Sequence, residues 1–117
     1  MTQPSPKQLA RSARRRIEHL RNHLAEFDYL CSGTLLERTK RCGKPNCRCA
    51  QDPAARHGPY YEWGHMKQGK LVHRQVSAAQ AKLLRQAIEN YRAVQQLLRE
   101  WEEQTEQLIN AEAPHRR

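Results

Sequence analysis

The sequence predicts a mainly α-helical fold with a small β-hairpin, in which two long antiparallel helices flank a compact insert. Two long segments carry apolar residues at alternating spacings of three and four, which is typical of heptad helices. The segment between them is rich in Cys, Pro and Gly, residues that favour tight loops. Hydrophobic residues make up only 38% of the 117 positions, so a large apolar core is not expected.

The first helix is expected over residues 6–31. Ser5 can cap its N-terminus, and Pro6 suits the first helical position. The apolar seam that defines the segment consists of Ala10, Ala13, Ile17, Leu20, Leu24, Phe27 and Cys31.

The second helix is expected over residues 78–110. Ser77 and Gln80 form a Ser-x-x-Gln capping box at its start, and Pro114 lies beyond its end, so that residues 111–117 read as a frayed tail. Its seam consists of Gln80, Leu84, Ala87, Tyr91, Val94, Leu98, Trp101, Thr105 and Leu108.

Charge favours antiparallel pairing of the two helices within a single domain over residues 1–117. A basic cluster near the start of the first helix and an acidic cluster near the end of the second each oppose their own helix dipole, and antiparallel pairing lets each offset the other. A helix-swapped or four-helix homodimer satisfies the same pattern. The clusters are Arg11, Arg14, Arg15 and Arg16, and Glu100, Glu102, Glu103 and Glu106.

The insert between the helices covers residues 33–76. Residues 34–41 are expected to be extended, and residues 42–59 form a tight loop because Cys, Pro and Gly dominate them. Residues 60–65 and 70–76 predict a β-hairpin around a Gly-containing turn.

Three cysteines in the loop have the spacing of a metal-binding knuckle. Cys42 and Cys47 form C-x4-C, and Cys47 and Cys49 form C-x-C. Thiolates hold zinc at about 2.3 Å in a tetrahedron, which requires the chain to fold back sharply. Gly43 and Pro45 suit such a turn. We therefore expect one structural zinc ion.

A closed zinc site needs a fourth ligand. His57, eight positions after Cys49, is the first choice. Cys31 is an alternative, and with Cys31 the cysteines could instead hold an iron–sulfur cluster; His65 and His73 are weaker candidates. The cysteines could also be free or oxidised.

No apolar run approaches the roughly 20 residues of a membrane span, and the N-terminus lacks the apolar stretch of a signal peptide. We therefore expect a cytoplasmic protein without a membrane partner. Thiols stay reduced in the cytoplasm, which favours metal binding over disulfides.

The formal net charge of +9 favours a polyanionic partner, DNA rather than RNA, although a basic protein without such a partner would have the same composition. Tyr60, Tyr61 and Trp63 interleave with the charges and could stack on bases, but Tyr61 and Trp63 share a strand face and could equally pack on the second helix. The candidate nucleic-acid contacts are Arg38, Lys40, Arg41, Lys44, Arg48, Arg56, Lys67, Lys70 and Arg74.

The sequence also resembles a small uncharacterised bacterial and phage domain family. The segments that carry the resemblance are Cys-Gly-Lys-Pro-x-Cys-x-Cys at residues 42–49 and His-Gly-Pro-Tyr-Tyr at residues 57–61. Members look like accessory proteins found near mobile-element genes. The resemblance implies that the three cysteines and His57 belong to one unit, and it carries no activity.

These observations predict a zinc-finger-like, DNA-binding accessory protein linked to a mobile element or phage. The alternative is a helical interaction or oligomerisation module that tethers a larger machine without contacting nucleic acid. The sequence offers no nucleophile–base pair, phosphate-cradling loop or carboxylate dyad, so an enzyme is not expected.

Overall fold

The computed structural model describes residues 3–115, which form two helices and a three-stranded antiparallel sheet. Contacts divide the chain into two compact units, one formed by the residues up to Asp28 and from Asn90 onward, the other by Tyr29–Glu89. In chain order the elements are α1 (Pro6–Leu24), β1 (Thr34–Lys40), two 3-10 turns (Arg48–Ala50 and Pro53–Ala55), β2 (His57–Lys67), β3 (Lys70–Val76) and α2 (Ala78–Glu112).

The expected hairpin is part of a larger sheet, so the fold is mixed α and β. The two hairpin strands, β2 and β3, pair as predicted, and β1 pairs with the other edge of β2 in the order β1-β2-β3. The sequence predicts an extended chain at 34–41 but gives no sign of a strand partner. In the structure only Leu35 of β1 is half-buried, and the other residues of the strand are exposed. A strand exposed along most of its length lacks the apolar alternation that identifies strands.

The prediction that the first helix runs over residues 6–31 is wrong at its end, since α1 stops at Leu24. Apolar spacing continues through Cys31, but that residue belongs to the second unit. There it packs against a small core, and its N–H donates to the carbonyl oxygen of Ala87 at 3.3 Å. Tertiary packing therefore takes the chain out of the helix that its local pattern favours.

Both helices begin at capping boxes; the box of α2 was predicted from the sequence, whereas for α1 only the Ser5 cap was predicted. The Ser5 hydroxyl accepts from the N–H of Gln8 at 3.2 Å, and the Gln8 side chain accepts from the N–H of Ser5 at 2.8 Å. Ser77 and Gln80 repeat this exchange at 3.1 and 3.0 Å. Each box satisfies two backbone donors that the first helical turn leaves free.

In the first unit α1 runs antiparallel to the C-terminal part of α2. Arg14 pairs with Glu112, and Arg16 pairs with Glu100 at 2.7 Å, so that later residues of α1 meet earlier residues of α2. Two of the four arginines in the predicted basic cluster are therefore paired with acidic residues of α2, one of which, Glu100, belongs to the predicted acidic cluster. These ion pairs are solvent-exposed and worth at most about 1 kcal/mol each, so they set orientation more than stability.

α2 ends at Glu112, two residues before Pro114. Of the tail predicted over residues 111–117, residues 116 and 117 lie outside the described part of the chain. The single domain over residues 1–117 stays a prediction, since two units that share one helix can still fold together. Within residues 3–115, no helix is both long and apolar enough to cross a membrane.

The second unit has a small core formed by Val76, Ala81 and Leu84. Tyr61 and Trp63 pack against it from β2, which confirms that these aromatic rings face the second helix rather than solvent. The Trp63 indole N–H donates to the carbonyl oxygen of Ser32 at 3.0 Å, giving the ring a polar anchor.

Gly33 lies in the second unit, immediately before β1, and has a left-handed backbone with φ 114°. A Cβ at this position would overlap the carbonyl oxygen of Gly64 and come within 2.8 Å of Trp63 Nε1. A side chain here would therefore collide with β2 as well as disfavour the backbone angle.

We predict that Gly33→Ala lowers the free energy of unfolding of the second unit by about 3 kcal/mol, through left-handed strain plus displacement of β2. Gly69→Ala is the matched control, because Gly69 also has a positive φ of 79° but open space around it. It should cost only about 1 kcal/mol. Urea unfolding monitored by hydrogen exchange of β2 amides measures both, and equal losses would contradict the steric argument.

Candidate metal centre

The knuckle, defined here as residues 41–57, connects β1 to β2. Lys40 at the end of β1 and His57 at the start of β2 are paired across the strands, so the sheet holds the two ends of the knuckle together. The pairing register between β1 and β2 changes between Arg38 and Lys40, because β2 has one extra residue opposite this part of β1. Pro59 lacks an N–H to donate to the ladder, which is why an irregularity is tolerated here. Such bulges redirect neighbouring side chains.

Short-range hydrogen bonds fold the knuckle into consecutive tight turns. Gly43 adopts φ 82°, and the N–H of Cys47 donates to the carbonyl oxygen of Lys44 at 3.1 Å. The Asp52 carboxylate accepts from the N–H of Ala54 at 2.9 Å and caps the second 3-10 turn. The chain therefore doubles back twice within the knuckle, as converging ligands require.

The turns bring Cys42, Cys47, Cys49 and His57 together, with their ligand atoms all within 4.8 Å of one another. Cys42 Sγ lies 3.5 Å from Cys49 Sγ, and Cys47 Sγ lies 3.2 Å from His57 Nε2. Tetrahedral zinc with bonds of 2.0–2.3 Å separates its ligands by roughly 3.5–3.8 Å. A disulfide would require about 2.05 Å between sulfurs. The spacing is therefore compatible with a metal site built from three thiolates and one imidazole.

Burial singles out Cys49 within the knuckle. Its side chain is 1% exposed, while the other described knuckle residues are exposed or half-buried. Its sulfur also accepts from the N–H of Cys42 at 3.4 Å, a backbone contact of the kind that orients metal ligands. A loop with one buried thiol and no apolar core needs another source of cohesion, which a bound metal would supply.

The alternative fourth ligands lie elsewhere. Cys31 packs against the core of the second unit, so the arrangement does not favour an iron–sulfur cluster that uses it. His65 stacks on Trp63 with ring centroids 3.6 Å apart. His73 Nδ1 lies 3.1 Å from a carboxylate oxygen of Glu62. Of the four candidates, the structure places His57 with the three cysteines.

The nine basic residues expected to contact nucleic acid fall into separate groups. Lys67 and Lys70 flank the β2–β3 turn, at the opposite end of β2 from the knuckle. Arg74 lies over the Trp63 ring, 5.5 Å from its centroid. The other six lie on the knuckle or on the adjoining part of β1, and all are exposed; they are Arg38, Lys40, Arg41, Lys44, Arg48 and Arg56.

A polar cluster formed by residues of all three strands was not recognised from the sequence. Glu62 and His73 form the pair described above, and the Lys40 ammonium lies 5.4 Å from the centroid of the Tyr60 ring. The sequence gives no signal for the Glu62–His73 pair, because the two residues are eleven positions apart. Only the strand register, which pairs Gly64 with His73, brings them together.

Comparison with known proteins identifies the domain but not its role. A family model described as a domain of unknown function, DUF6788, matches residues 8–86, which include both strands that flank the knuckle and all four clustered side chains. No curated protein and no solved structure matches the chain.

We predict that the purified protein holds about one equivalent of zinc and that Cys49→Ser loses it, because three ligands bind zinc far more weakly than four. Cys31→Ser is the matched control and should retain the metal, since Cys31 packs against the core of the second unit and lies outside the knuckle. His57→Cys should also retain it, and His57→Ala should not. Elemental analysis after gel filtration measures the zinc content of each protein. Zinc retained by Cys49→Ser would contradict the proposed metal site.

Proposed function

The chain belongs to the DUF6788 family of domains of unknown function, and we propose that it is a zinc-containing, DNA-binding accessory protein rather than an enzyme. One observation carries the proposal. Four metal-ligating side chains converge within a loop whose exposed surface is basic. A metal that fixes the loop would also fix the positions of its cations, which is what binding to regularly spaced phosphates requires.

Zinc is the metal that suits the cluster best. Three cysteines and one histidine form one of the common closed structural zinc sites. Soft thiolates disfavour magnesium and calcium, which prefer oxygen ligands. With all four positions supplied by Cys42, Cys47, Cys49 and His57, no position is left open for a substrate or an activated water, which favours a structural role over a catalytic one.

The cations of the knuckle are free to meet phosphates. Among the described residues, no acidic side chain pairs with Arg41, Lys44 or Arg56. Arg48 lies 3.8 Å from Asp52, a distance typical of a weak exposed pair. Unpaired cations release counterions from DNA when they bind, which supplies most of the affinity of sequence-independent binding.

The distribution of charge between the two units supports the same assignment. The second unit contains 11 basic and 4 acidic residues, while the first contains 10 and 8. Most of the net charge of +9 therefore lies in the unit that carries the knuckle. In the first unit, part of the basic charge is paired with acidic residues on α2. We assign DNA contact to the second unit on this basis.

We predict that the double variant Lys44→Glu and Arg48→Glu weakens DNA binding at least tenfold and lowers the slope of log K against log salt by about 2, because two phosphate contacts are lost. Fluorescence anisotropy over a salt series measures both quantities. Lys7→Glu, on α1, is the control and should change neither by more than about twofold. Failure to bind duplex DNA, single strands or RNA at low salt would refute nucleic-acid binding altogether.

A second candidate function is homodimerisation through α2, which one surface of the first unit favours. An open groove of about 580 Å³ runs along α2 and is lined by Leu98, Trp101, Thr105 and Ile109 among others. Leu98 is 45% exposed and Ile109 57% exposed. Two helices alone cannot enclose such a face, whereas a four-helix dimer can.

A second copy is the occupant that the spacing of the groove residues favours. In an antiparallel α2 pair with its two-fold axis between Glu103 and Gln104, Leu98 of one copy comes opposite Ile109 of the other, because both lie equally far from the axis. The groove would then meet its own copy and bury both apolar side chains. A dimer of this kind would also double the number of knuckles on one DNA.

We predict that Leu98→Glu and Trp101→Ala each make the protein monomeric, because each removes apolar surface from the groove. Leu83→Glu is the control, since Leu83 is 44% exposed on the same helix but does not line the groove. Sedimentation equilibrium measures the mass. A wild-type monomer at 100 μM, or a Leu98→Glu dimer of unchanged affinity, would contradict this surface.

The link to a mobile element or phage is a further part of the proposal. It rests on the motif segments at residues 42–49 and 57–61 rather than on geometry. Genes for recombinases or phage structural proteins beside the coding sequence in several genomes would support it, and unrelated neighbours would not.

A further inference from the structure

The sheet has a polar face that carries a cavity of about 200 Å³. This face is the side of the sheet opposite Tyr61 and Trp63, which pack on the core. Side chains alternate between the two faces of a strand, and paired residues project to the same side. The polar face therefore collects side chains from all three strands, and those that line the cavity include Arg38, Lys40, Tyr60, Glu62, His73 and Gln75.

The cavity is graded in charge along β2. Nearest the knuckle lie Arg38 and Lys40, and Tyr60 is the register partner of Arg38. Two residues further along, about 7 Å at strand spacing, Glu62 is paired with Gln75. Two cations, Arg38 and Lys40, thus occupy one end of the cavity, and a carboxylate with an amide occupies the other, where Arg74 also contributes to the lining.

The carboxylate end is held in place. A Glu62 carboxylate oxygen lies 3.1 Å from His73 Nδ1, and the His73 ring lies over Gly64, where an added Cβ would approach it to 3.0 Å. A side chain at residue 64 would displace the ring. Because residue 64 has no side chain, the His73 ring can hold one carboxylate oxygen of Glu62 in place. The second carboxylate oxygen can then accept a hydrogen bond from a ligand.

From this arrangement we infer that the cavity binds one unpaired nucleotide, with the phosphate at Arg38 and Lys40 and an amino-bearing base such as cytosine at Glu62. The inference rests on the proposed DNA binding and deepens it, since it assigns a preference for single-stranded or frayed DNA. The knuckle cations then hold the neighbouring phosphates.

A phosphate alone does not account for the cavity, because the Glu62 carboxylate would repel it. A base edge with an exocyclic amino group provides the donor that a carboxylate accepts from, as Glu and Asp do with cytosine N4. Tyr60 lies between Lys40 and Glu62 along β2, and a base that reaches Glu62 would stack on the ring face that the Lys40 ammonium does not cover. The cations, the ring and the acceptor thus match the phosphate, the face of the base and the amino-bearing edge of the base in one nucleotide.

The experiment compares DNA duplexes that carry a short 3′ overhang of cytosine, of thymine or of abasic spacer. The three overhangs have the same phosphates, so anisotropy measurements isolate the contribution of the base. Wild-type protein should bind the cytosine overhang about tenfold more tightly than the abasic one. It should also prefer cytosine to thymine about fivefold or more.

Two cavity variants test the assignment. Tyr60→Ala should lower affinity for the cytosine overhang about tenfold while leaving the abasic affinity unchanged. Glu62→Gln should abolish the preference for cytosine over thymine, because an amide can both donate and accept. Glu37→Gln is the matched control, since it makes the same charge change on the opposite face, and it should behave like the wild type.

The outcomes distinguish failure of the nucleotide site from failure of the proposed DNA binding. Equal binding of cytosine and abasic overhangs by the wild type, or a cytosine preference that survives in Glu62→Gln, overturns the nucleotide site while leaving DNA binding intact. Loss of binding to all three substrates by the wild type instead refutes the proposed function. Zinc content and helical circular dichroism, measured on each variant, identify any that fail to fold; Gln75→Ala then replaces such a variant and should reduce the cytosine preference.

Discussion

The knuckle is organised by the convergence of Cys42, Cys47, Cys49 and His57 rather than by apolar packing. The apolar cluster of the second unit, formed by Val76, Ala81 and Leu84 with a few half-buried partners, includes no knuckle residue. Ordering one residue costs about 1–2 kcal/mol of backbone entropy, so a loop of this length cannot stay fixed on tight turns alone. A metal bound at the four side chains offsets that cost directly, because metal-binding free energy becomes folding free energy. Arginine and lysine side chains on the knuckle then gain fixed positions without a hydrophobic core beneath them.

The cluster of metal-ligating side chains could be predicted from the sequence because its geometry is local. Cys42, Cys47 and Cys49 lie within eight residues, and turn-forming residues between them leave few other conformations. His57 was harder to choose among four candidates, since its position depends on pairing with Lys40 across the sheet. For the same reason, β1 was not predicted to be a strand of the sheet. Its residues are exposed along most of the strand, so no alternation marked it, and its partner strand begins seventeen residues later.

Helix ends show the same division between local and long-range causes. Both N-termini were predicted correctly, because a capping box is complete within four residues. The C-terminus of α1 was not, because the heptad spacing continues to Cys31 and the reason for leaving it lies in the second unit. The charge pattern predicted the antiparallel orientation of the helices but not which residues form the ion pairs. Arg16 meets Glu100, as the acidic cluster suggested, whereas Arg14 reaches Glu112, which sequence reasoning had left out.

Metal site and polar face are connected through the sheet. His57 would ligate the metal from the first residue of β2, and its register partner Lys40 lies at the cationic end of the cavity. A metal held by the four side chains would therefore also fix where Lys40 lies relative to Tyr60 and Glu62. Loss of the metal would free the first residues of β2 and the end of β1 before the β2–β3 hairpin, whose pairing extends from Tyr61 to Lys67 without the knuckle. If the proposed function holds, a bound metal would contribute to DNA binding twice, by fixing cations on the knuckle and by aligning the phosphate end of the proposed nucleotide site with its base end.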